Sequence, residues 1–176
     1  MYDIVLQNAT ILSYNERGND AFLKGSVLIR DGNIIDIVQY NTELTPTKHA
    51  INCRGKLLTP GLIDCHTHTI YSGNRAEELE ERISGLSYKK IAERGGGILS
   101  TVDNTREATY DQLYKEAASR VYQMMHYGTT TCEIKSGYGL DMDTEVKMLR
   151  IAEELNQKVA GITIIKTLLA AHAIPR

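Results

Sequence analysis

The chain has 176 residues, with 20 basic against 22 acidic side chains, so it offers no basic face for nucleic acid and no acidic tail. Its apolar runs are shorter than a membrane span, and Met1-Tyr2-Asp3-Ile4-Val5 lacks the charged and apolar regions of a signal peptide. The three cysteines, Cys53, Cys65 and Cys132, are odd in number and lack C-x-x-C spacing, which reads as reduced thiols in a soluble, cytoplasmic protein.

From Met1 to about Leu58 the signals are short strands and turns. Ile4-Val5-Leu6 and Ile11-Leu12 read as a first strand pair. Ser26 to Arg30 and Ile34 to Val38 flank Asp31-Gly32-Asn33, a strong hairpin signal. Residues 1–58 are therefore expected to form a small β-domain acting as scaffold, and 59–176 a second, α/β domain.

Leu62-Ile63 begins a short strand that ends in His66 and His68. Residues i and i+2 of a strand share a face, so both imidazoles can serve one metal ion, whereas a helix would splay them apart. Neutral imidazole suits Zn or Fe, and Asp64 is placed to fix the local geometry. Cys65 alternates with the pair and reads as core filling. Taken alone, such a pair is better explained by a strand end with two exposed histidines.

Leu79, Ile83, Leu86 and Ile91 recur at helical spacing, with glutamates 77, 78, 80 and 81 toward solvent and the first turn. Gly95-Gly96-Gly97 stops that helix. It lacks the G-K-[ST] of a phosphate loop and reads as a turn. Thr105 to Tyr127 is predicted as one helix, with Leu113, Ala117, Val121 and Met124 on its apolar face. Thr109 and Gln112 are spaced for a capping box, and Gly128 closes the end. Thr129 to Ile134 reads as a buried parallel strand, Asp141 to Asn156 as a helix, and Ile162 to Leu169 as a last strand. The alternation predicts an α/β fold with a parallel sheet. Reactive groups in such folds collect at strand C-termini: His66 and His68, then Lys135 to Tyr138, then His172.

Several motifs carry a family resemblance. Pro60-Gly-Leu-Ile-Asp-x-His66-x-His68 resembles the first barrel strand of the amidohydrolase superfamily, metal-dependent hydrolases on a (β/α)8 TIM barrel. Gly73-Asn-Arg75-x-Glu77, Gly95-Gly-Gly-Ile-Leu-Ser-Thr101, Gly128-Thr-Thr-Thr131, Glu133-x-Lys-Ser-Gly-Tyr-Gly-Leu140 and Ala171-His-Ala-x-Pro175 narrow it to the imidazolonepropionase family. The glycine-rich runs are far more specific than the histidine pair. They separate this family from guanine deaminases, hydantoinases and dihydroorotases.

The resemblance implies a partial barrel, about its first three βα units, preceded by half of a composite β-sandwich. It implies hydrolytic ring opening of 4-imidazolone-5-propanoate to N-formimidoyl-L-glutamate. His66 and His68 would hold one Zn or Fe(II) ion whose bound water is acidified toward hydroxide. Arg75 would clamp the propanoate arm, Tyr138 would meet substrate and product, and His172 would act catalytically by donating to the ring carbonyl. By residue type alone, Arg75 reads rather as a surface arginine at a helix start, and His172 equally as a satisfied strand-end histidine. Lys135 is either an electrostatic aid or the partner of Glu133 or Asp141, and His49 and His126 carry no pattern. The partners expected are a small-molecule substrate and further copies of the chain, without nucleic acid or membrane. The family's remaining metal ligands and its general base lie on later strands, so the sequence is expected to be an N-terminal portion. A non-catalytic barrel fragment that associates through open sheet edges, or a hydrolase of another cyclic amide, are the alternatives.

Overall fold

In a computed structural model, residues 1–14, 20–42 and 47–174 are described. Pro175, which ends the last family motif, and Arg176 lie outside them. The chain divides into two compact units, Met1–Pro60 and Gly61–Arg176.

The first unit is a sheet of β1 (Tyr2–Tyr14), β2 (Asp20–Arg30), β3 (Asn33–Gln39), β4 (Thr47–Asn52) and β5 (Leu57–Leu58). The order is β3-β2-β1-β4, with β5 also on β1. Strands β1, β2 and β3 pair antiparallel in succession, while β4 and β5 run parallel to β1. The β2–β3 hairpin turns through Asp31 and Gly32, both at positive φ (51° and 73°), as a type I′ turn requires. The two short strands read from Ile4–Leu6 and Ile11–Leu12 are instead one strand, β1. A bulge between Leu6 and Ala9, with Asn8 at φ 56°, breaks the alternation without ending the pairing. Ala9, Ile11 and Val27 form the small core, against Leu6, Ile29, Cys53 and Leu58.

The second unit carries β6 (Leu62–Thr67), α1 (Ala76–Ile83), α2 (Tyr88–Glu93), α3 (Ile98–Glu107), α4 (Tyr110–His126), β7 (Thr129–Lys135), α5 (Met142–Lys158) and β8 (Thr163–Thr167). The three strands form one parallel sheet in the order β6-β7-β8. The core is built from helical stripes on this sheet. Leu113, Ala117 and Val121 of α4 recur every four residues, and Met148, Ile151, Ala152 and Leu155 of α5 follow the i, i+3, i+4, i+7 rule. They close on Cys132, Ile134 and Ile164 of the sheet. Burying a side chain of the size of Leu113 is worth about 1.5–3 kcal/mol. Among the described residues, no helix is long and apolar enough to cross a membrane.

Two helix predictions need correcting. The stripe from Leu79 to Ile91 is split between α1 and α2, because Gly85 turns the chain at φ 95°. Ile91 is buried, whereas Leu79 and Ile83 are 59% and 78% exposed. The helix read as Thr105–Tyr127 is also two. α3 starts directly after the glycine run and ends where Ala108 adopts an extended conformation (ψ 137°). Thr109 then caps α4, its hydroxyl accepting from the Gln112 amide at 3.2 Å. Only that half of the capping box forms, since the Gln112 side chain bonds Ser72 and Glu116 instead. Thr109→Ala is expected to cost about 1 kcal/mol, read as a lowered midpoint in urea at constant slope.

Candidate active site

Parallel pairing brings the C-terminal ends of β6, β7 and β8 to one edge of the sheet, and the loops leaving them carry the polar groups. β6 slips register against β7 between Asp64 and Thr67, a local bulge. The two imidazoles nevertheless share a side. The His66 and His68 rings meet edge to face at 5.5 Å. Asp64 Oδ1 accepts from the His66 amide at 3.3 Å, bracing this turn of the strand. Cys65 is exposed rather than core filling, as are its neighbours from Leu62 to His66 on this outer strand of the sheet.

His172 stacks on His68, ring centroids 4.4 Å apart and planes 1° from parallel. Tyr138 stands 5.2 Å from His68 and 5.4 Å from His172. His66, His68, Tyr138 and His172 therefore form one cluster. Arg75, the residue preceding α1, joins it through Tyr138: both line a cavity of about 250 Å³ with Tyr71, Asn74 and Thr101. Arg75 makes no ion pair among the described residues and is exposed. It also borders a larger cavity of about 390 Å³ that holds Glu77, Glu78 and Glu81 beside Arg94, which pairs with Glu81 at 3.8 Å; the remaining negative charge makes it the poorer seat for an anion.

The loop after β7 is held from several directions. Ser136 donates its amide to Thr167 and accepts from the Leu169 amide at 3.0 Å, tying this loop to the chain after β8. Gly137 lies at φ 122°, and a Cβ there would come within 2.9 Å of His172 Cβ and Nδ1. The glycine before Tyr138 is thus the seat of His172. The amides of Gly139 and Leu140 both donate to the buried Glu145 Oε1 at 2.9 Å, and Arg106 donates to the Gly139 carbonyl at 2.7 Å.

Lys135 pairs with Glu133, which also accepts from Thr167. These contacts, Lys135 foremost, hold the Glu133 carboxyl below its ordinary range. Asp141 pairs with Arg106 at 2.8 Å instead. His49 lies exposed on β4 and His126 exposed at the end of α4.

Burial, then the neighbouring imidazoles of His172 and His66, push the pKa of His68 below its usual value. The ring is therefore neutral at physiological pH, the form a metal needs. Its buried Nδ1 has no hydrogen-bond partner among the described residues. Two facing imidazoles, one with an orphaned nitrogen, fit part of a divalent-ion site. Among the described residues no third His, Cys, Asp or Glu completes a cluster. At His172, Nδ1 lies 3.2 Å from the Gly137 carbonyl, which can only accept. Nδ1 therefore carries the proton, and Nε2 is left for a ligand.

The thiols differ sharply. Cys132 is fully buried, and its pKa is pushed up to about 11 by burial and the Asp64 carboxylate. At pH 8 only about one part in 10³ of it is thiolate, so a thiol reagent is expected to modify exposed Cys65 first and Cys132 only in denaturant.

Sequence reading missed Tyr71, Arg120, Gly137 and Glu145. Gly137 alone carried a visible signal, the glycines on either side of Tyr138. The others act through contacts distant in sequence.

Solved structures share this mixed α/β fold. A 5-methylcytosine deaminase from Klebsiella pneumoniae with 5-fluorocytosine matches at a TM-score of 0.61 and 17% identity, over 93% of this chain and 35% of that one. A mutant atrazine chlorohydrolase from Arthrobacter aurescens, complexed with zinc and atraton, matches at 0.56 and 16%, over 93% and 35%. By sequence, the chain is a relative of the imidazolonepropionases and matches the N-terminal portion of those longer proteins. The Psychromonas ingrahamii imidazolonepropionase is 43% identical over 98% of this chain and 43% of its own length. That of Photobacterium profundum is 54% identical over 71% and 30%, and one from Vibrio vulnificus 46% over 98% and 42%. The chain thus spans less than half the length of these curated relatives. No family model matches it.

Proposed function

We propose that this chain is the N-terminal part of a hydrolase that opens the ring of 4-imidazolone-5-propanoate to N-formimidoyl-L-glutamate, a step of histidine degradation. The observation that carries it is the cluster of His66, His68, Tyr138 and His172 at the ends of three parallel strands, in a relative of the imidazolonepropionases. In this reading β6, β7 and β8 are the first strands of a (β/α)8 barrel, and β1–β5 are half of a composite sandwich.

His66 and His68 would hold one Zn or Fe ion, with further donors from outside this chain. Such an ion supplies Lewis-acid activation of water when bound. Arg75 offers a planar fork to the carboxylate arm, in the 250 Å³ cavity rather than the glutamate-lined one. Tyr138 packs against the ring. His172, its Nδ1 held on the Gly137 carbonyl, turns Nε2 toward the ring carbonyl, where a proton on that nitrogen would stabilise charge developing on oxygen. A cytoplasmic homo-oligomer is the expected setting.

The test is the full-length parent: stoichiometric Zn or Fe together with hydrolysis of imidazolone propanoate is expected. Turnover of other cyclic amides instead would reassign the substrate. A second reading has an observation behind it, since Leu62, Ile63 and Ile165 on the outer strands of the sheet are 54%, 72% and 51% exposed. A metal-free, inactive oligomer of the 176-residue chain would favour that association module.

A further inference from the structure

The loop between β6 and α1 carries Tyr71 on the wall of the small cavity, and an arginine outside the cluster grips this loop. Arg120, on α4, donates from one nitrogen to the carbonyls of Thr69 (3.0 Å) and Tyr71 (2.8 Å). Its guanidinium lies 3.7 Å over the centre of the Tyr71 ring. The opposite nitrogen meets Glu116 at 3.3 Å, and Glu116 in turn accepts from Ser72. The Ser72 amide donates to Thr105, whose hydroxyl donates to the Thr101 carbonyl at 2.7 Å. Thr101 is itself on the cavity wall. Tyr71 passes this order on, since its ring meets that of Tyr138 edge to face at 6.0 Å.

A surface arginine needs none of this. A single ion pair with Glu116 would satisfy its charge, yet the side chain spends one nitrogen on two backbone carbonyls and its flat face on an aromatic ring. Carbonyls of a loop are otherwise solvated by water, so this arrangement fixes the loop's path rather than merely neutralising a charge.

We propose that Arg120 is a positioning residue for substrate binding: through the stack Arg120–Tyr71–Tyr138 it sets the wall facing Arg75 and so the affinity for the substrate's carboxylate arm. This rests on the function proposed above for its substrate, but the positioning itself does not.

Three variants test it. Arg120→Ala removes the carbonyl bonds and the stack, Arg120→Lys keeps the charge without the fork, and Tyr71→Leu keeps the carbonyl bonds without the ring. In the 176-residue chain with ring-labelled tyrosine, Arg120→Ala and Tyr71→Leu are expected to move the Tyr138 ring resonances, and Arg120→Lys to move them less. In the full-length parent, Arg120→Ala is expected to raise KM for imidazolone propanoate about tenfold, with kcat held within about twofold and Arg120→Lys intermediate. The double variant Arg120→Ala/Tyr71→Leu should be no worse in KM than the worse single change. Unmoved Tyr138 resonances, additive KM effects, or a fall in kcat alone would each overturn the proposal. If Arg120→Ala does not fold, Arg120→Lys and Tyr71→Leu decide by the same readouts. A parent inert toward imidazolone propanoate sinks the functional reading, and the Tyr138 resonances then decide the role of Arg120 by themselves.

Discussion

If the proposed function holds, Gly137→Ala is expected to lower kcat of the full-length parent by about 10²-fold or more, with any metal content unchanged. The added methyl would lie 2.9 Å from His172 Cβ and Nδ1, closer than two such atoms approach. Either the imidazole swings away from His68, or the loop carrying Tyr138 backs off. Either movement displaces a group by an ångström or so within the cluster proposed to guide the reaction. A backbone penalty at φ 122° comes in addition, and the two effects can be separated. Gly85 has φ 95° but open space around its would-be Cβ, so Gly85→Ala carries strain without a clash. It should lower stability while sparing kcat. Full activity in Gly137→Ala would show that His172 is not needed where it sits.

Arg75→Ala in the same enzyme is expected to raise KM for imidazolone propanoate by about 10²- to 10³-fold, the worth of two charge-assisted hydrogen bonds. Metal content should not change, since Arg75 enters the cluster only through the cavity it shares with Tyr138. Arg75→Lys keeps the charge and loses the fork, so its KM should fall between the two. An imidazolone lacking the carboxylate arm supplies the control, because it has nothing for the arginine to hold. An equal loss on that analogue would mean that Arg75 supports the fold of the α1 start and not the substrate.

Much of this arrangement can be read from residue order, and the rest fails for identifiable reasons. Asp31-Gly32 announces its hairpin because a type I′ turn needs two positive φ values and these residues tolerate them. The gathering of His68, Tyr138 and His172 follows from strand–helix alternation, which sends successive strand ends to one edge. The joining of β1 across Asn8 is hidden, because a bulge disrupts the period-two pattern exactly as a turn does. α3 is hidden because three glycines mask where the helix begins, while its split from α4 lies in the extended Ala108 and Thr109, of which only the Thr109 cap carries a signal in the sequence. Arg120, Tyr71 and Glu145 are illegible for a different reason. Each is an ordinary residue in its own element, given its role only by a partner brought near through folding.

The pairing of the sheet has a kinetic consequence. Thr131 on β7 lies opposite Thr163 on β8 and opposite Ile63 on β6, and the second closure spans roughly twice the chain length of the first. Doubling adds only about 0.6 kcal/mol in lost chain entropy, but the longer loop must also thread four helices, whereas α5 alone joins β7 to β8 and brings Met148, Ile151 and Leu155 with it. The strand bearing the histidine pair is therefore expected to dock last, onto a surface that already presents Tyr138 and His172. Pulse-labelled hydrogen exchange during refolding should show the amides of 163–167 shielded ahead of those of 62–67, and the reverse order would refute it.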